Sequence, residues 1–294
     1  MGYLCNNMIA EMKLRSYSDT TIKMYTKCMR FLAYHFMMSP LLLSQADIRD
    51  FFLYLIDKHS SPTTLHVYYS AIKVFYSIHG QPHYLDFMPH PKRPMIIPDV
   101  LDESEIETIL SYCRTLRYKM FFTLIYSAGL RISEALNLKV SDIDPLRKTI
   151  HIHDSKNAKD RYTILSTKAL TLLRFYMNRY KPETYLFFSI HDKSKQMSKR
   201  NCQDVFHTLV KEAHISKNAH VHTLRHSFAT HLLENKTNLF YIMQLLGHAS
   251  IKSTVIYLHM QRLDKMDITS PLDSCNISLD KYPDTAPQQL LNIA

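Results

Sequence analysis

Residues 222–233 read HTLRHSFATHLL, and residues 245–260 read LLGHASIKSTVIYLHM. On a helix predicted over about 223–235, His222 and Arg225 stand three residues apart and therefore reach toward the same ligand. The planar donors of an arginine match two phosphoryl oxygens, and a neighbouring histidine can exchange a proton near neutral pH. The pair therefore suits a phosphate group.

The second stretch adds a candidate nucleophile. His248 follows a glycine turn, and Tyr257 lies nine residues later on a separate helix predicted over about 250–260. A short loop and helix can carry the phenol back to the histidine. Upstream, SAGLRISEALNL (127–138) places Arg131 two residues after Gly129, with Glu134 one helical turn further on. Lys156 lies in SKNAKDR (155–161), the predicted turn of a hairpin.

These segments resemble the signature boxes of the tyrosine recombinase (phage integrase) family, in the order Arg, Lys, His-x-x-Arg, His, Tyr. The resemblance implies that the catalytic residues are Arg131, Lys156, His222, Arg225, His248 and Tyr257. Glu134 is expected to orient the first arginine. The family's hairpin usually reads Gly-Lys-Gly, whereas Ser155 and Asn157 flank Lys156 here, and Lys159 is a nearby alternative.

The chemistry of strand cleavage explains this set of residue types. Attack on a phosphodiester adds negative charge to the non-bridging oxygens, which preorganised arginines stabilise, and His248 can add a hydrogen bond. Tyr257 must lose a proton, for which His222 is the expected base. The resemblance assigns Lys156 as general acid and implies a 3′-phosphotyrosine product with a free 5′ hydroxyl, formed without metal, ATP or any cofactor.

The pattern of apolar residues predicts a mainly α protein with one small antiparallel sheet. Before residue 81 it predicts helices over about 18–36, 44–58 and 61–79, and prolines then interrupt residues 81–98. Later helices are predicted over about 103–116, 118–128, from 133, 167–180, 198–213, 223–235, 238–246 and 250–260, with a hairpin of strands 149–153 and 161–165. The expected domains are 1–90, an all-α core-binding (SAM-like) domain; 91–98, a linker; 99–265, an α+β catalytic domain; and 266–294, a tail.

Composition favours a nucleic-acid partner. The net charge is +10, and residues 98–265 hold 25 basic against 16 acidic side chains, which favours phosphate contacts over an anionic membrane surface. Five scattered cysteines, no phosphate-binding glycine loop and no apolar run of roughly 18–20 residues indicate a cytoplasmic, nucleotide-independent protein without a membrane span. The expected DNA contacts are Lys23, Lys27, Arg30, Lys73, Lys159 and Arg161.

The resemblance also implies partners. A simple Xer-like or transposon-borne member would clamp double-stranded DNA between its domains in a C shape. Alone it would be a monomer or weak dimer, and on two synapsed sites a homotetramer that exchanges strands through a four-way junction, with accessory proteins in some systems. Residues about 261–285 are expected to dock into a neighbouring protomer.

The sequence leaves two other classes of function open. A metal-dependent nuclease or transposase would use Asp142 and Asp144, and a non-catalytic DNA-binding relative would lack the nucleophile.

His151 and His153 alternate on a strand, but no nearby carboxylate cluster completes a site, so no metal is expected. Of two further histidines, at positions 226 and 231, one is expected inside and one at the surface, neither in the chemistry.

Overall fold

A computed structural model of the chain describes residues 2–92, 98–153, 160–248 and 250–260. The chain divides into two compact units, residues 1–96 and 97–294. Lys156, Lys159, most of the expected linker and the expected tail (266–294) lie outside the described residues. The domain bounds inferred from the sequence therefore stay a prediction.

The first unit is built from helices that close on an aromatic core. They are α1 (Gly2–Leu14), α2 (Asp19–Phe36), α3 (Gln45–Asp57) and α4 (Pro62–Ile78). Ser18 caps α2 by accepting a hydrogen bond from the N–H of Thr21, as its place before the apolar periodicity predicts. Helix α1 was not predicted, although it buries Met8 and Met12 in the same core.

The second unit is mainly helical with a small sheet. Its elements are α5 (Glu103–Tyr112), α6 (Leu116–Ala128), α7 (Ile132–Asn137), β1 (Ile143–Asp144), β2 (Thr149–Ile152), β3 (Arg161–Ile164), α8 (Thr167–Tyr180), α9 (Lys199–Glu212), α10 (Val221–Glu234), α11 (Leu239–Leu246) and α12 (Lys252–Val255). Within the described residues the strands form an antiparallel sheet in the order β1-β2-β3. The predicted fold class and the β2–β3 hairpin are confirmed.

Two glycines turn the chain at the points from which functional side chains project. Gly129 ends α6 with φ 63°, and a Cβ there would stand 2.4 Å from Cδ1 of Phe228. Gly247 ends α11 with φ 62°, and a Cβ there would stand 2.7 Å from Cδ of Arg161. Both positions combine left-handed backbone with a close neighbour, so only glycine fits without displacement.

The last predicted helix, over 250–260, divides in two. Helix α12 is a single turn, and a 3₁₀ helix (Ile256–His259) follows it and carries Tyr257. Tyr257 packs with Phe228 and Leu246 in a small apolar cluster beside α10 and α11. Among the described residues, no helix has the length and apolar character needed to cross a membrane.

Candidate active site

Glu134 is the electrostatic centre of the site. This buried carboxylate accepts a hydrogen bond from Nη1 of Arg131 at 2.6 Å and two from Arg161, at 2.9 and 2.8 Å. Its Oε2 lies 3.5 Å from Nη1 of Arg225. Burial alone would raise the pKa of Glu134, but the hydrogen bonds and charge of Arg161, with help from Arg225, lower it to about 2. The charged carboxylate thus holds three guanidinium groups together.

Arg225 is almost completely buried, at 1% exposure, and is fixed by main-chain oxygens. Its Nη1 donates to the carbonyl of Gly129 and its Nη2 to the carbonyl of Leu246, both at 2.6 Å. Its Nη2 also lies 3.3 Å from Nε2 of His248. Burial and the nearby charge of Arg131 lower its pKa to about 10, which leaves it positive at neutral pH.

His248 stands between Arg225 and the segment that carries Tyr257. Its Nδ1 lies 2.9 Å from Oγ1 of Thr254, and its ring is stacked with that of Tyr257 at a centroid distance of 6.2 Å. Burial and the charge of Arg225 lower the pKa of His248 to about 4, so the imidazole is neutral at pH 7.

Tyr257 is buried, at 2% exposure, and its hydroxyl contacts a histidine. That histidine is His226, whose Nδ1 lies 3.3 Å from Oη of Tyr257. Burial raises the pKa of Tyr257, and the charges of Arg225 and Arg131 partly offset this effect. Burial and the neighbouring His222 lower the pKa of His226 to about 4, so at neutral pH a neutral imidazole lies next to a protonated phenol.

His222, the base expected from the sequence, is one helical turn earlier on α10. No hydrogen bond joins it to Tyr257 among the described residues; its ring instead meets the ring of His226 at a centroid distance of 4.5 Å. Partial burial and the charges of Arg225 and Arg131 lower the pKa of His222, whose side chain is still exposed to solvent. The other histidine of the motif, His231, is buried and hydrogen bonded to Tyr126.

The structure thus gathers Arg131, His222, Arg225, His248 and Tyr257 in one place, with Glu134 beneath them. The sequence assigned no chemical role to His226, although its position four residues after His222 signals that both share one helix face. The hairpin tip with Lys156 lies outside the described residues.

The expected DNA contacts divide into two kinds. Lys23, Lys27 and Arg30 follow one another along α2 at helical spacing, and all three are exposed, as is Lys73 on α4. Arg161, by contrast, is buried at 9% exposure. Its guanidinium binds Glu134 and, through Nε, the carbonyl of Leu245 at 2.8 Å. It therefore positions the site from within, whereas the sequence suggested a surface contact.

Asp142 and Asp144, which a metal-dependent nuclease would use, both accept hydrogen bonds from main-chain N–H groups. Asp144 accepts from the N–H groups of Leu146 and Arg147, and Asp142 accepts from the N–H of Lys139 at 2.8 Å. Asp142 also lies 3.0 Å from Nε2 of His153, away from the cluster around Tyr257.

Comparison with known proteins gives concordant results. Residues 99–263 match the Phage integrase family, and residues 4–80 match the Phage integrase N-terminal SAM-like domain. A tyrosine recombinase of Thermosipho africanus is 30% identical over 277 residues, covering 88% of this chain and 95% of the relative. The tyrosine recombinase XerA of Pyrococcus horikoshii is 32% identical over 250 residues, covering 84% of this chain and 85% of the relative.

Among solved structures, a lambda integrase (75–356) dimer bound to a COC′ core site superposes with a TM-score of 0.74. The superposition covers 92% of this chain and 99% of that one at 17% identity. At this identity the likeness bears on the fold alone.

Proposed function

The chain belongs to the phage integrase family of tyrosine recombinases, and from that premise we propose that it breaks and rejoins DNA strands through a bond between Tyr257 and a 3′ phosphate. The reaction uses neither metal nor ATP, and it exchanges strands between two sites through a four-way junction. The observation that carries the proposal is the contact of a buried phenol with a neutral histidine beside clustered guanidinium groups.

The scissile phosphate binds in front of Arg131 and Arg225. These two arginines are fixed by Glu134 and, for Arg225, by the carbonyls of Gly129 and Leu246. Because their positions are set before DNA arrives, they stabilise the added charge of the five-coordinate state without reorganisation. His248, next to Arg225, supplies a further hydrogen bond to the same oxygens.

The phenol proton passes to His226. Its Nδ1 contacts Oη of Tyr257, and the ring is unprotonated at neutral pH. The negative charge of a bound phosphate would raise the lowered pKa of His226 and so make it a stronger base. His222, proposed from the sequence as the base, stays in the mechanism as the exposed neighbour through which the proton reaches solvent. The phenolate oxygen then forms a bond to phosphorus as the bond to the 5′ oxygen breaks.

The departing 5′ oxygen takes a proton from Lys156, an assignment that rests on the family motif. Residue 161, at the start of β3 and five positions after Lys156, is anchored to Glu134. The start of β3, five residues after the general acid, is thereby linked to Glu134, the carboxylate that holds the arginines.

DNA contacts outside the site come from the basic stripe of α2, namely Lys23, Lys27 and Arg30, together with Lys73 and Lys159. We further propose domains at 1–90 and 99–265 joined by the linker, and a homotetramer on synapsed sites in which residues 261–285 contact a neighbour. Accessory proteins, where present, would bias direction. Such an enzyme works in the cytoplasm on double-stranded DNA of the nucleoid.

The test is covalent trapping on a suicide substrate, a nicked duplex that loses a short fragment after cleavage. Wild type is expected to form a protein–DNA adduct in the presence of EDTA. Tyr257→Phe is expected to form none. Tyr241→Phe, which removes an exposed hydroxyl on α11, is the matched control and should react as wild type does. An adduct with Tyr257→Phe, or cleavage abolished by EDTA, would contradict the proposal and favour the nuclease class.

A further inference from the structure

A second cluster of ionisable side chains lies at the base of the loop that joins β2 to β3, next to the last strand pair, Ile152 and Arg161. Nε2 of His151 and Nδ1 of His153 lie 3.3 and 3.4 Å from the same oxygen, Oδ2 of Asp160. One possible ligand atom from each of these three residues lies within 4.8 Å of the other two. Three ligand atoms of the types that transition metals prefer therefore converge on one point.

These separations match the edges of a zinc coordination tetrahedron. Zinc bonds to histidine nitrogen and carboxylate oxygen are about 2.0–2.2 Å long, which places neighbouring ligand atoms roughly 3.3–3.5 Å apart. Both distances to Asp160, which are two of the three edges between the ligand atoms, fall in that range. The histidines are partly exposed, His151 at 26% and His153 at 48% of the side chain, so an ion can enter from solvent.

Neighbouring side chains hold both rings in place. Nε2 of His153 lies 3.0 Å from Oδ1 of Asp142, a carboxylate that is 5% exposed and already fixed by the N–H of Lys139. A hydrogen on Nε2 donated to Asp142 leaves the lone pair of Nδ1 directed at the Asp160 side. A ligating histidine bound through its other nitrogen to a carboxylate is the usual support of protein metal sites. His151 stacks on Tyr162 at 4.6 Å and 12°.

We propose that His151, His153 and Asp160 bind one Zn²⁺ ion, with the fourth position open to water, at the base of the hairpin that carries Lys156. The sequence predicted no metal because no carboxylate cluster stands next to these histidines along the chain. The hairpin brings a carboxylate to the histidines, because Ile152 pairs with Arg161 and Asp160 therefore lies opposite His153.

The consequence of binding is a cross-strand link. The ion joins the end of β2 to the residue before β3 and fixes the base of the hairpin. Among the described residues, its ligands contact none of Arg131, His222, Arg225, His248 and Tyr257, so cleavage in EDTA and zinc binding can be tested separately.

The test is calorimetric titration of metal-free full-length protein with ZnCl₂, without DNA, after removal of any affinity tag. Wild type is expected to bind one equivalent. His151→Gln/His153→Gln is expected to weaken binding by at least 100-fold, and Asp142→Asn by about 10-fold through loss of the supporting hydrogen bond. Tetrahedral absorption bands after Co²⁺ substitution should appear in wild type and vanish in the double variant.

His83→Gln is the matched control. It disrupts another exposed His–Asp pair, with Nδ1 of His83 2.9 Å from Asp86, and should bind as wild type does. Circular dichroism checks that each variant is folded. Equal Zn²⁺ affinity in wild type and His151→Gln/His153→Gln would overturn the proposal. Because no DNA is present, that result would leave the proposed recombination untouched.

Discussion

The histidines of this protein lie in two contrasting environments. In the nucleophile cluster, defined as His222, Arg225, His226, His248 and Tyr257, burial and positive neighbours keep the imidazoles neutral. In the hairpin-base cluster, defined as Asp142, His151, His153 and Asp160, the imidazoles face carboxylates and solvent. The sign of the nearby charge thus fits the partner proposed for each cluster: an anion and a phenol proton in the nucleophile cluster, a cation in the hairpin-base cluster.

The largest expected effect concerns Glu134, the buried carboxylate that three arginines share. Glu134→Gln removes the charge that compensates Arg131, Arg161 and Arg225, and leaves guanidinium groups buried without a counterion. We expect a loss of about 3–5 kcal/mol in the free energy of unfolding, measured by urea denaturation. Asp204→Asn, which removes the partner of an exposed Arg200 pair, is the control and should leave the midpoint unchanged. Equal midpoints for both variants would contradict the role given to Glu134.

The second effect is on the rate of cleavage. His226→Gln keeps a polar side chain near Tyr257 but removes the basic nitrogen, and general-base catalysis is worth about 10²–10⁴-fold. We expect the rate of covalent trapping to fall at least about 100-fold, with DNA affinity unchanged in a gel-shift titration. His231→Gln, on the same helix but bonded to Tyr126, should retain the rate. A wild-type rate in His226→Gln would return the role of base to His222.

The third effect is a loss of stability in acid. The pKa values of His226 and His248 fall from 6.5 to about 4 on folding. Between these values the unfolded chain binds protons that the folded chain does not, so stability is full above pH 6.5 and decreases toward pH 4. The slope is at most about 1.4 kcal/mol per pH unit for each histidine.

Urea midpoints at pH 7.5, 6.0 and 5.0 measure this slope, and His248→Gln should flatten it. Glu134 adds to the loss only below about pH 4.5, because its own pKa of about 2 lies lower still. Identical slopes in wild type and His248→Gln would show that His248 is not the source of the pH dependence.

The smallest effect is expected in the hairpin-base cluster. His153→Gln, studied with a chelator present, removes the partly exposed His–Asp pairs that His153 forms with Asp142 and Asp160. Such pairs contribute about 0–1 kcal/mol, so the urea midpoint should hardly move. A loss as large as that of Glu134→Gln would mean that both clusters hold the fold together, and the contrast between them would disappear.

The fold was largely predictable because periodicity and caps are local signals. Ser18 caps α2 as predicted, α4 begins at Pro62 next to the predicted start, and the β2–β3 hairpin follows from two β-rich runs around a polar turn. Strand β1 has only two residues, too few for any period. Helix α1 spreads its apolar residues around the helix, so its burial depends on packing against α2 and α4.

The sequence identifies the residues of the candidate site better than it identifies the contacts between them. Motif order selects Arg131, Arg225 and Tyr257, and the roles given to them stay predictions. His222 and His226 share one helix face, so only the later placement of the phenol by α11 and α12 decides which one it meets. Likewise the direction of Arg161 depends on strand parity: residues 161 and 163 of β3 point inward while 162 and 164 point outward.

The narrow space at Gly247 links a backbone turn to the charge of the site. A methyl group there would meet the aliphatic part of Arg161, whose guanidinium holds Glu134 and, through it, Arg131 and Arg225. Residues 161 and 247 are therefore constrained as a pair: a bulkier residue at one requires a different side chain at the other. A substitution of Gly247 would therefore displace the arginines that are proposed to bind phosphate.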